Sequence, residues 1–87
     1  MLEVVYKPAF VRQYKKLSKD LQEEIVDKIG LFKSDPKHSF LRIHKLQGRL
    51  AGRYSFSVNY AYRVVFVYLS KNKVRFLSVG DHDVYKI

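Results

Sequence analysis

Arg63, His82 and Tyr85 are the residues of this chain whose types, if brought together, suit one kind of chemistry. Cleavage of RNA by attack of a 2′-OH on its own phosphodiester uses no enzyme nucleophile. It needs a base for the 2′-OH, an acid for the leaving 5′-oxygen and cations for the charge on phosphorus. Histidine serves as acid or base because its unperturbed pKa, about 6.5, lies near working pH. Arginine offers phosphate oxygens a forked set of donors and keeps its charge. Tyrosine can stack on a base or pass a proton. Each residue also has a plainer reading: a histidine after a turn is most often a turn residue, and Arg63 can serve a structural ion pair. Arg63 interrupts an apolar stretch, so it must find a partner or open onto a functional surface.

Other chemistries lack their residues. There is no cysteine, which excludes disulfides, thiol catalysis and a Cys-based zinc site. His38, His44 and His82 are too scattered to argue for zinc, and no Gly-rich phosphate loop or Gly-x-Ser-x-Gly is present. No metal and no cofactor are expected. Asp81 and Asp83 flank His82, but on an extended segment alternate residues point away from it, so they are read as turn-capping residues.

The elements that must position these groups follow from periodicity. Residues 53–58, Arg-Tyr-Ser-Phe-Ser-Val, alternate polar and apolar as a strand with one wet face. Residues 62–69 are almost continuously apolar, as in a strand covered on both faces. Residues 70–73 form a hairpin turn with Lys71-Asn72 at its tip, residues 74–79 the next strand, and residues 81–86 a closing, extended tail. At the start, residues 2–6 read as a short strand and Pro8 as the first turn of a helix carrying Phe10, Val11, Tyr14 and Leu17 on one side. Ser18 caps a second helix whose stripe is Leu21, Ile25, Ile29 and Phe32, ended by Asp35-Pro36. Residues 37–52 are the least regular, with Gly48 and Gly52 bracketing a loop. The order β-α-α-β-β-β predicts an α+β domain, with two helices packed on one face of a twisted antiparallel sheet. The other face is expected to be open, with Ser55, Ser57, Arg63 and Arg75 on a shallow basic surface.

The charge is uneven. Seventeen Lys and Arg against eight Asp and Glu leave +9, and no acid stands between Pro36 and Gly80. Seven tyrosines and six phenylalanines are interleaved with these cations, the pattern of a polyanion-binding surface. Eighty-seven residues make one domain, residues 1–87. The N-terminus has no signal-peptide pattern and no apolar run is long enough to span a membrane, so a cytoplasmic location is expected.

Three motifs in order, Leu46-x-Gly48-x-x-x-Gly52-x-Tyr54-Ser55, Tyr62-Arg63-Val64-Val65-Phe66 and Val79-Gly80-x-His82-x-Val84-Tyr85, resemble the RelE/ParE superfamily of type II toxin–antitoxin toxins. The resemblance spans almost the whole chain. It implies a toxin that cleaves mRNA on the ribosome and is neutralised by a cognate antitoxin. Operator DNA would be bound only through the antitoxin complex. Carried onto this chain, Arg63 contacts the scissile phosphate and His82 stands where YoeB and YafQ relatives carry a proposed general acid. Tyr85 matches the late aromatic, and His44 is a candidate general base. Arg49 and Arg53 would be supporting phosphate contacts; Lys45 and Arg75 add cations to the same RNA-binding set. Ser55 and Ser57 replace the lysines of RelE proper, which favours a histidine-based, YoeB/YafQ-like mechanism. The alternatives are a ParE-like gyrase poison and a non-catalytic relative that only binds its antitoxin.

Overall fold

The computed structural model describes residues 2–81. The chain runs β1 (Glu3–Tyr6), α1 (Pro8–Lys15), α2 (Lys19–Ser34), β2 (His44–Lys45), β3 (Tyr54–Ser57), β4 (Arg63–Ser70) and β5 (Lys73–Gly80). Short 3-10 turns at Ser39–Leu41 and Gly48–Leu50 occupy the segment that reads as irregular from sequence.

Local chemistry sets the helix boundaries. Pro8 opens α1, where its missing N–H costs nothing. The Ser18 hydroxyl accepts the Leu21 amide at 3.3 Å and caps α2, with Asp20 in the first turn favoured by the helix dipole. Gln22 Nε2 donates to the Tyr14 and Leu17 carbonyls at 3.0 and 3.3 Å, tying the end of α1 to the start of α2. The expected stripes are the buried ones: Phe10 on α1, and Ile25, Ile29 and Phe32 on α2.

The five strands lie in the order β1-β5-β4-β3-β2. Neighbours pair antiparallel except β1, which runs parallel to β5 with Val4 opposite Val74. The sheet is therefore mixed rather than wholly antiparallel. Strand periodicity reveals a strand but not its neighbour, and the helical hairpin returns the chain so that β1 borders the last strand. A second difference is β2, a two-residue edge strand in which His44 pairs with Ser55.

Both helices cover one face. Phe32 is fully buried, with ring centroids 5.0 Å from Phe56, 5.0 Å from Phe66 and 5.7 Å from Phe76, one ring from each of β3, β4 and β5. A register shift between Val65 and Phe66 leaves Leu77 as an extra residue on β5. The bulge reverses the alternation, so Val74, Phe76 and then Val79 reach the core while Ser78 and Gly80 turn to the helix-free side.

That helix-free side differs from the expected open trough. Ser55 is 0% exposed and Ser57 only 7%, and Val65 and Ser78 between them are buried as well. The middle of the face is therefore closed to water. Exposed cations remain at its margins.

Phe32→Ala is expected to destabilise the domain by about 3–5 kcal/mol, because it empties a cavity among three phenylalanines that cannot collapse together; urea denaturation followed by circular dichroism measures it. Burial raises the Tyr6 and Tyr68 hydroxyls above the ordinary 10.0, with Tyr54 adding to the rise at Tyr68. Their neutral forms therefore favour the folded state, a contribution complete below pH 10 and lost as the pH climbs through the raised values. The denaturation midpoint should fall above pH 10, in step with tyrosinate absorbance. Stability unchanged across that window would contradict the partial desolvation of these hydroxyls.

Candidate nucleic-acid interface

Arg63 is the first residue of β4, paired with Ser57 on β3 and Gly80 on β5. Its side chain is half-buried and its partners are backbone. Nη1 donates to the carbonyls of Asn59 at 2.8 Å, Tyr62 at 3.1 Å and Tyr60 at 3.3 Å. The guanidinium thus closes the turn that leads into its own strand. Five N–H donors are available on a guanidinium, so Nη2 and Nε keep three that these contacts do not use. The requirement read from sequence is met by partners: the backbone carbonyls of the turn.

The turn is built to hold that geometry. Asn59 Oδ1 accepts the amides of Ala61 and Tyr62, both at 2.9 Å, as an Asx turn does. Asn59 Nδ2 donates to the Glu24 carboxylate on α2. Lys28 Nζ donates to the Val58 carbonyl at 3.0 Å. Two residues of α2 therefore grip the loop, and the cross-sheet anchor for Arg63 comes from the helix layer.

His44 shares the face. It pairs with Ser55, Ser55 with Val65, and Val65 with Ser78, while Arg63 lies two residues along and two strands across, roughly 12 Å away by sheet spacings. His44 and Lys45 are exposed on the edge strand. Arg53 precedes β3 and donates its amide to Leu50 at 3.0 Å; Arg49 is exposed on the adjoining 3-10 turn. Gly48 and Gly52 take φ of 67° and 89°, a region costly for other residues, which explains the glycine bracket around that loop. Arg75 pairs with Val67 on the same face, but about 15 Å from Arg63 by strand rise. It lines a separate hollow with Lys7, Lys73, Leu69 and Leu77. The structure thus places Arg63 and His44 on one face and leaves both Arg53 and Arg75 near the level of Val67, toward its far end. His82 and Tyr85 lie outside the described residues.

With this geometry in view, known structures can be compared. No family model matches the chain, and no curated protein does. Solved structures do. YafQ from E. coli strain BL21(DE3) superposes with a TM-score of 0.78 at 17% identity, over 98% of this chain and 98% of that one. The YoeB–YefM complex from Staphylococcus aureus gives 0.73 at 21% over 94% and 98%. The RelBE2 toxin–antitoxin complex from Mycobacterium tuberculosis gives 0.76 at 23% over 93% and 98%. The fold is that of the RelE/ParE-type toxins.

Within this RelE-like frame, several residues escape a motif search. Gln13 on α1 accepts the Val79 amide through Oε1 at 2.9 Å, holding the end of β5 next to Gly80. Asn59 and Lys28 hold the Arg63 turn. An asparagine opening a turn was a usable signal; the contacts from Gln13 and Lys28 are long-range and carry none. Among the described residues no group of three His, Asp or Glu side chains could hold a metal ion.

Asn59→Ala removes both Asx acceptors and the Glu24 contact, and should cost about 1–2 kcal/mol. Amide exchange should quicken at Ala61 and Tyr62 while Phe66 stays protected; equal protection at all three would show that Asn59 does not hold the turn.

Proposed function

We propose that this chain is the toxin of a type II toxin–antitoxin system and an endoribonuclease acting on ribosome-bound mRNA. The observation that carries the reading is the fold itself, shared over more than nine-tenths of both chains with YafQ, YoeB–YefM and RelBE2. Support comes from the charge, with Arg63 and His44 on one sheet face and Lys45 and Arg53 at its margin, in a segment that has no Asp or Glu.

In the proposed reaction the 2′-oxygen attacks the adjacent phosphorus and loses its proton to a base. The bond from phosphorus to the 5′-oxygen breaks, and an acid protonates that oxygen. The products are a 2′,3′-cyclic phosphate and a 5′-hydroxyl. His44 and His82 divide the base and acid roles. Arg63, through the donors its turn does not use, neutralises the phosphorane oxygens. Because the turn holds the guanidinium in place beforehand, little reorganisation remains for the moment of reaction. Tyr85 stacks on a substrate base or assists proton transfer, and Arg49, Arg53 and Lys45 bind flanking phosphates. A cognate antitoxin rich in acidic and apolar residues would cover the same cations.

The test is primer extension on a reporter mRNA after brief induction of wild type, Arg63→Ala and His82→Ala. New 5′ ends inside translated codons are expected for wild type alone, and should vanish when initiation is blocked. Removing one such electrostatic donor typically costs about 10²–10³ in rate, so both variants should be folded and non-toxic. Arrest with intact message would move the target to gyrase, and full arrest by a folded double variant would remove Arg63 and His82 from the site. Affinity for ribosomes should also drop steeply with salt, since phosphate contacts release counterions.

A further inference from the structure

The open space beside Arg63 borders Ser57 but not the buried Ser55. It is a recess of about 360 Å³ between α2, the 3-10 turn Ser39–Leu41 and the Asn59 turn, lined by Lys28, Phe40, Arg42, Asn59, Tyr60 and Arg63 among others. Two aromatic rings at this recess are strongly exposed, Tyr60 at 97% and Phe40 at 71%. No fold requirement explains a tyrosine so fully in water at the tip of a turn. Three cations share the lining. Lys28 and Arg63 are partly engaged with carbonyls, whereas the Arg42 guanidinium makes no hydrogen bond or ion pair among the described residues. Arg42 also sits at φ 47°, a backbone region unfavourable for an arginine. Phe40 is steadied by the edge of the His38 ring 4.7 Å away, and its amide donates to His38 Nδ1. Glu24, the nearby acid that contacts the turn, is occupied by Asn59.

We infer that this recess is a nucleotide-binding subsite, in which an RNA base stacks on Tyr60 or Phe40 and its phosphate is held by Arg42. A base has an apolar face and an adjoining phosphate a charge, and exposed aromatics beside an uncommitted guanidinium match that pair. An acidic peptide would use the charge but offers no flat base to stack on the two exposed rings. The recess opens at Arg63, so the subsite would seat a nucleotide flanking the one that reacts. The inference rests on the reading of the chain as an RNA-acting toxin, yet it assigns residues that no catalytic role requires.

Binding is measured by fluorescence anisotropy with a labelled single-stranded RNA dodecamer carrying 2′-O-methyl sugars, which cannot be cleaved. Tyr60→Ala and Arg42→Gln should each weaken binding by about tenfold, Tyr60→Trp should restore it, and Arg42→Gln should reduce the salt slope by about 0.7. Tyr60 is so exposed that its replacement leaves the core untouched. Wild-type affinity in both variants, or no binding by wild type at low salt, overturns the subsite. A Glu-rich peptide that binds more tightly than the RNA and is lost in the same variants would assign the recess to a protein partner and overturn it too. Because the probe is not cut, these outcomes are independent of the message-cleavage result that tests the nuclease reading.

Discussion

One aromatic contact governs the layout. Phe32 lies on Phe56, Phe66 and Phe76, and through it α2 is fastened to the three inner strands at once. A domain this small has a single core, and a two-helix hairpin covers only one side of a sheet. Groups that would meet a polyanion, on the proposed reading, are thereby left to the other side and to the loops at its ends. The bulge at Leu77 belongs to the same constraint: it lets Val79 join the core while Gly80 sits beside Arg63.

The Arg63 turn shows how that core reaches the site. A guanidinium at the mouth of a central strand loses water on its inner side, and three carbonyls of residues 59, 60 and 62 compensate it. Those carbonyls are themselves fixed by Asn59, and the loop by Lys28 and Glu24 from α2. Packing on one face therefore sets the position of a cation that projects from the other. This differs from an ion pair. A carboxylate partner would cancel the charge, whereas carbonyl dipoles orient the group and leave its charge available to phosphate.

Helices were the most legible part of the chain, since Ser18, Pro8, Asp35-Pro36 and the apolar stripes each carry local information. The hairpin at Lys71-Asn72 was equally plain. Neighbour relations were not, which is why β1 appears as a parallel strand beside β5 rather than in an all-antiparallel sheet. Ser55 and Ser57 mislead for a related reason: polar residues at alternate positions indicate a face, not its exposure. At the site, residue type and strand position pointed to Arg63, whereas His44 was indicated by the family resemblance alone. Arg42 and Tyr60 were invisible as a pair, because the approach of the Ser39–Leu41 turn to the Asn59 turn is a tertiary event.

Burial of the serines also shapes what the surface can select. A wide basic trough would attract any phosphate backbone and discriminate little. Here the centre of the sheet is closed, and the cations stand apart at His44–Lys45, near Arg53, at Arg63 and at Arg42. A rigid duplex meets few of these at once. A single strand, free to bend between strong points and to unstack a base onto an aromatic, meets more of them. On the proposed reading, spacing of charge, rather than its total of +9, is the property that favours a single-stranded substrate.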